Sequence, residues 1–201
     1  MSCDEKVDCG RRRLLVATVA VGGVAGVATA VPFLASFAPS ERAKAAGAPV
    51  EADIGKLAPG QMMTVEWRGK PVWIIHRTKE MIADLRKNDD KVADPKSERG
   101  QSEYQPPPGI DVETRSLKPD YMVVVGICTH LGCSPTQKLE NGAVSGMDAD
   151  WTGGFLCPCH GSTFDLAGRV FKNKPAPDNL PIPPHTYLSE SKLLIGESKK
   201  G

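Results

Sequence analysis

The chain has 201 residues, 25 Lys and Arg against 24 Asp and Glu, and a formal net charge of +1. That balance argues against nucleic acid as a partner, and the length leaves room for one membrane segment plus one soluble domain of ordinary size. With 5% aromatic residues, 20 Gly and 17 Pro, and neither internal repeats nor low-complexity tracts, the profile suits a loop-rich all-β domain.

Residues 1–13 read as a polar tail. Its acids Asp4, Glu5 and Asp8 are atypical of mitochondrial presequences, which favours a bacterial inner-membrane protein. Cys3 and Cys9 stand here with no partner motif and are expected as free reduced thiols. Gly10-Arg11-Arg12-Arg13-Leu14-Leu15 leads into an uncharged stretch from Leu14 to Ala38, 25 residues long and enough to cross a bilayer with some tilt. An arginine cluster, a moderately apolar helix and a polar segment resemble a twin-arginine export signal. Such export carries a domain across the membrane already folded. A cleaved signal, cut in the Ala-rich stretch from Ala43 to Ala48, is the competing reading. The apolar run exceeds a normal signal core of about 7–15 residues, so an uncleaved anchor over 14–38 is expected. Arg42 and Lys44 flank the far side, which leaves the positive-inside signal modest. Gly22 and Gly26 have the small-xxx-small spacing of helix contacts, which glycine-rich export signals share.

Residues 39–49 read as a linker and 50–201 as the soluble domain. Met62–Trp67 and Val72–His76 are β-prone runs separated by Arg68-Gly69-Lys70, a hairpin signal with Pro71 at a strand edge. Thr78 followed by Met81, Ile82 and Leu85 predicts one short capped helix. Lys87 to Gly109 is polar and ends in three prolines, an exposed excursion. Tyr121 to Ile127 predicts a buried strand delivering Cys128 into a loop. Phe155 and Leu156 end another strand, and Thr163 to Leu166 starts the return, with Ala167-Gly168 turning into Arg169-Val170-Phe171. Leu193 to Ile195 closes the sheet. His76 and His185 read as surface or core-edge residues, and Trp67, Trp73 and Trp151 as packing.

The chemistry lies in Cys128-Thr129-His130-Leu131-Gly132-Cys133 and Cys157-Pro158-Cys159-His160-Gly161-Ser162. Each segment offers one Cys and one His at close spacing plus one further Cys, a Cys2His2 ligand set with a spare pair of thiols. A two-iron cluster fits this inventory. A [2Fe–2S] core on four thiolates is a dianion when oxidised, and exchanging two thiolates for neutral imidazoles makes it formally neutral. Adding an electron then meets far less repulsion. Potentials of such centres run from roughly −150 to +300 mV, against about −400 mV for plant-type ferredoxins. The alternative is a structural zinc site, but zinc ribbons pair ligands as Cys-x2-4-Cys, which a Cys-x-His first half does not match.

Cys-x-His in one loop and Cys-x2-His in the other resemble the Rieske proteins. The resemblance implies a Rieske-type antiparallel β-sandwich whose two cluster loops, about 126–136 and 155–165, form a subdomain, preceded by one transmembrane helix. It implies that Cys128 and Cys157 bind one iron and His130 and His160 the other, and that Cys133 and Cys159 form a disulfide clamping the loops. Such a bridge needs an oxidising compartment. The second Cys pair, and the 26 residues between His130 and Cys157, favour the quinol-oxidising branch, the iron–sulfur subunits of ubiquinol–cytochrome c (bc1) reductases. That branch implies cytochrome b, cytochrome c1 and ubiquinol as partners, a dimeric complex, a hinge at 39–49 and a cluster domain in the periplasm. It assigns His130 and His160 to proton-coupled electron transfer, with His160 the preferred quinol contact, and Leu131 to the docking surface. Ser162 would hydrogen-bond the cluster.

Two positions depart from the family. Phe164 stands where relatives often have a Tyr whose hydroxyl bonds a ligand sulfur, which implies a potential below theirs, because hydrogen bonds to sulfur stabilise the reduced state. Lys174 opens the Lys174-Pro175-Ala176-Pro177 loop where many relatives have Gly; prolines stiffen that loop, and the lysine reads as a solvated side chain, the alternative being an added surface charge near the docking face. The runner-up is the Rieske subunit of another exported oxidoreductase such as arsenite oxidase. A soluble Rieske ferredoxin conflicts with the anchor and the disulfide.

Overall fold

The computed structural model describes residues 8–99 and 104–198, and the chain divides into two compact units, 1–45 and 46–201. The first carries helix α1, Cys9–Ala35, and the short helix α2, Glu41–Ala46, begins at its end. The carboxylate of Asp8 accepts a hydrogen bond from the Arg11 amide at 3.1 Å, so α1 starts ahead of the arginine cluster and includes it. Thr18 and Thr29 return their hydroxyls to backbone carbonyls of the preceding turn, which hides polar groups along an apolar helix. It is the one helix among the described residues long and apolar enough to cross a membrane. Cys3 lies outside the described residues. Cys9 is disulfide-bonded, which corrects the expectation of a free thiol; a disulfide needs two sulfurs within reach, not a ligand motif. The expected linker at 39–49 is partly helical, because Ser40 caps α2 through the Ala43 amide at 3.2 Å.

Among the described residues the second unit has three antiparallel sheets of three strands each. Strands β1 (Val50–Asp53), β8 (His185–Tyr187) and β9 (Lys192–Ile195) make one in the order β1-β9-β8. Strands β2 (Met62–Trp67), β3 (Lys70–His76) and β4 (Tyr121–Val125) make the second in sequence order. Strands β5 (Thr136–Lys138), β6 (Gly154–Leu156) and β7 (Thr163–Asp165) make the third, which carries both motif loops. Met62 pairs with Ile75 and Trp67 with Lys70, so the β2–β3 turn is the two residues Arg68-Gly69. Pro71 is tolerated because β4 pairs with β3 only from Val72 onward.

The middle sheet is covered on both faces, and its sequence says why. Val72, Ile74, Val123 and Val125 pack with Ala52, Leu193 and Ile195 of the first sheet and with Trp67. The alternate residues Trp73, Ile75, Met122 and Val124 pack with Phe155, Phe164, Leu166 and Val170 of the cluster-loop side. A strand buried on both faces reads as an unbroken apolar run, which is what Val72–Ile75 and Met122–Val125 are. Each fully buried aliphatic side chain contributes about 1.5–3 kcal/mol. Trp73 stacks on Phe155 with centroids 4.6 Å apart, joining the middle and third sheets.

Thr78 caps α3 (Lys79–Asp84) through the Met81 amide, and Leu85 is buried in the 3-10 turn that follows. The segment expected as an exposed excursion is in part core. Val92 is buried and bridges Phe171, and Tyr104 packs on Trp67; its mostly polar sequence conceals single apolar anchors. Trp67, Trp73 and Trp151 are buried, and His76 is half-buried with Nδ1 2.6 Å from the Leu57 carbonyl. His185, expected at an edge, is 1% exposed with Nδ1 2.8 Å from the Pro183 carbonyl.

Candidate metal centre

The two motif loops share one backbone scaffold. In the first, the Cys128 amide donates to the Cys133 carbonyl at 2.8 Å and the Gly132 amide to the Cys128 carbonyl at 3.1 Å. In the second, the Cys157 amide donates to the Ser162 carbonyl at 2.7 Å and the Gly161 amide to the Cys157 carbonyl at 3.0 Å. Gly132 and Gly161 take positive φ at 83° and 76°, where a Cβ would be strained. Cys133 and Ser162 therefore hold equivalent places. The histidines do not: His130 is two residues after its loop's first Cys and His160 three, so they are staggered on matching loops.

This scaffold gathers every residue the motifs singled out. Cys128 and Cys157 are the two free cysteines among the described residues, each 2% exposed. Burial pushes the Cys128 thiol up, and the same sulfur meets the His130 amide, the Cys157 sulfur and the Ser162 hydroxyl. His130 is half-buried, His160 is exposed, and their rings meet edge to face with centroids 4.8 Å apart. Leu131 is 72% exposed. Cys133 and Cys159 form a disulfide across the loops, with Cα atoms 6.7 Å apart. That bond leaves two inner thiols and two outer imidazoles as donors. Two sulfur and two nitrogen ligands on opposing loops suit a two-iron cluster, whereas a closed zinc site would bury its imidazoles with its thiols.

The proline loop forms the third wall. The Thr129 hydroxyl donates to the Asp178 carbonyl at 2.7 Å, and the Ala176 amide donates to the fully buried Ser162 hydroxyl at 3.0 Å. Both motif loops are thus bonded to one stiff segment. Lys174, at its start, is exposed and lines a shallow depression of about 160 Å³ with Lys91, Asp150, Trp151 and Phe171.

Behind the loops lies a polar frame that the sequence reading missed. Asp165, fully buried, accepts from the amides of Ala167 and Arg169 and from Arg169 Nε at 2.8 Å, while Arg169 also reaches Asp89 and the Leu85 carbonyl. Arg115 donates to the carbonyls of Ala167 and Leu180 and to Ser97, and Arg77 to the carbonyls of Thr114, Leu166 and Pro119. Asn179 closes the frame by accepting from the Val170 amide at 2.9 Å. Burial pulls Arg77 and Arg115 down to about 10, so both remain cations at neutral pH. Phe164 is fully buried within the third sheet, paired with Phe155 and bridged to Val170.

Residues 100–184 match the Rieske [2Fe-2S] domain, and residues 1–40 match the family model described as the Ubiquitinol-cytochrome C reductase Fe-S subunit TAT signal. The ubiquinol-cytochrome c reductase iron-sulfur subunit of Allochromatium vinosum is 58% identical over 190 residues, covering 94% of this chain and 89% of its own. That of Blastochloris viridis is 39% identical over 198 residues, 98% of each chain. A chain in a solved hyperthermophilic respiratory Complex III is 28% identical and aligns over 89% of this chain and 97% of its own, with a TM-score of 0.45. With its ligand-bearing loops, disulfide and N-terminal apolar helix, the chain belongs to the ubiquinol–cytochrome c reductase iron–sulfur subunits and carries a Rieske [2Fe–2S] centre.

Proposed function

We propose that the protein is the electron-transfer subunit of a bc1 complex, taking one electron from ubiquinol at the cytochrome b site and passing it to cytochrome c1. The observation that carries this reading is the sorting of the donor set: two buried thiols inside, two imidazoles at the surface beside the exposed Leu131. When bound, the [2Fe–2S] cluster supplies a one-electron acceptor whose neutral oxidised charge gives it a high potential. Cys128 and Cys157 would hold one iron of the cluster and His130 and His160 the other.

With one ring nitrogen on iron, each histidine would have the other left to meet the quinol. That nitrogen would accept a hydrogen bond and then a proton from the quinol hydroxyl, so that proton and electron leave the substrate together. His160, the more exposed of the two, makes the quinol contact. Leu131 supplies the apolar surface that seats the loop tip against cytochrome b. The Ser162 hydroxyl, already in contact with Cys128 sulfur, steadies the reduced cluster. α1 anchors the chain, the arginine cluster directs export, and residues 39–49 are the hinge through which the cluster domain, in the periplasm, moves between cytochromes. The proton released there contributes to the transmembrane gradient, within a dimeric complex in the bacterial inner membrane.

The test is electron paramagnetic resonance on membranes carrying the protein, reduced with ascorbate alone and then titrated with a quinone-analogue inhibitor of the quinol-oxidation site. The expected result is a Rieske signal under this mild reductant whose shape changes with inhibitor. A signal that needs dithionite, or that ignores the inhibitor, would assign the cluster to another oxidoreductase.

A further inference from the structure

The sulfur atoms of Cys133, Cys157 and Cys159 all lie within 4.8 Å of one another, and only Cys133 and Cys159 are bonded. A thiol held beside a disulfide is placed for exchange through attack on one of its sulfurs. The proposed function withdraws Cys157 from this chemistry by binding it to iron, and the inference rests on that ligand assignment.

We propose that in the chain without its cluster Cys157 attacks the disulfide at the Cys133 sulfur. A Cys133–Cys157 bond forms, the Cys133–Cys159 bond breaks, and Cys159 leaves as a thiolate that takes up the proton Cys157 gave up. One disulfide is exchanged for another, so neither oxidant nor reductant is consumed. Attack at Cys133 is favoured over Cys159 on two grounds. A Cys157–Cys159 bridge would close a small ring around Pro158, whose fixed φ resists the required geometry. The leaving Cys159 is exposed, whereas Cys133 is half-buried, so water solvates the better leaving group.

The product has lost an inner thiol and cannot hold the cluster. Insertion must therefore occur while Cys133 and Cys159 are still reduced, before the domain meets an oxidising compartment, and the bound cluster then protects the disulfide that forms beside it. This order agrees with an export signal suited to folded cargo.

The experiment follows the free thiols by mass. Full-length protein in detergent is divided anaerobically; one half keeps its cluster, and the other is stripped with a chelator and held at pH 8. Both are acid-quenched, unfolded and labelled with N-ethylmaleimide, and peptide fragmentation locates the labels. The expected result is label on Cys128 and Cys157 in the cluster-bearing half, and on Cys128 and Cys159 in the stripped half. Label that stays on Cys157 in the stripped half overturns the proposal. In a stripped Cys157→Ser chain Cys159 should remain unlabelled, and label there would overturn Cys157 as the attacking group. If the cluster-bearing half isomerises as fast as the stripped half, the exchange stands and the ligand assignment of Cys157 fails.

Discussion

The two faces of the middle sheet are built on different principles. Toward β1, β8 and β9 it meets an aliphatic core of Val72, Ile74, Val123, Val125, Leu193 and Ile195, in which shape and volume suffice. Toward the cluster loops it meets Trp73, Phe155 and Phe164, then a frame of buried Asp165, Arg169, Arg115, Arg77, Ser162 and Asn179 and a disulfide. The third sheet has only three residues per strand, too few to fix loops by ladder bonds alone. Charged hydrogen bonds and a covalent bridge supply that definition, because the four donor atoms proposed to hold the cluster must be placed to a fraction of an ångström while apolar packing tolerates adjustment. The base is organised for stability and the tip for precision.

Removing an inner ligand should separate the two halves most sharply. Cys157→Ser is expected to abolish the cluster's resonance signal while amides of β2, β3 and β4 keep their hydrogen-exchange protection; loss of protection throughout would show that the halves fold as one. Next comes the polar frame. Asp165→Ala leaves the buried Arg169 without its inner partner and should cost about 3–5 kcal/mol, read from denaturant midpoints. In the aliphatic base, Ile74→Ala should cost about 2–5 kcal/mol through its cavity, with the cluster's spectrum unchanged, whereas Asp165→Ala should alter it.

Acid probes the base through His185. Burial holds this imidazole down to about 4, against 6.5 for an ordinary histidine. It is neutral when folded, so its contribution is fully present above pH 6.5 and is lost as pH falls toward 4. The gap corresponds to about 3 kcal/mol. Compared with His185→Leu, the native chain should lose about that much stability between those two values; parallel curves would show that burial does not lower the proton affinity of this imidazole. The smallest effect is at Phe164, where Phe164→Tyr should raise the midpoint potential by adding a hydrogen bond to a ligand sulfur. Protein-film voltammetry would show it, and an unchanged or lower midpoint would refute the idea.

What could be read from the sequence follows the same divide. β2, β3 and β4 were legible because unbroken apolar runs survive any local ambiguity, and the meeting of the two motif loops because their Cys and His stand out by identity. β1, β5 and β8 were not legible. Three or four residues hold no periodicity to read, and Thr136–Lys138 is polar. Asp165 and Arg169 escaped notice because a charged residue in a loop-rich stretch reads as surface until its partner is known. The matching backbones of the two loops were hidden by the one-residue stagger between His130 and His160. Hydrogen bonds from Cys128 and Cys157 to residues five further on, and the left-handed glycines before those residues, reveal it.

The Val125 amide donates to the Pro181 carbonyl at 2.8 Å, at the point where the chain leaves the middle sheet for the motif loops and the point where it comes back. Everything between is, topologically, an insertion entered and left through one neck. The neck alone does not define the redox unit, because Arg77 and Arg115, from outside the insertion, donate to its Leu166, Ala167 and Leu180 carbonyls.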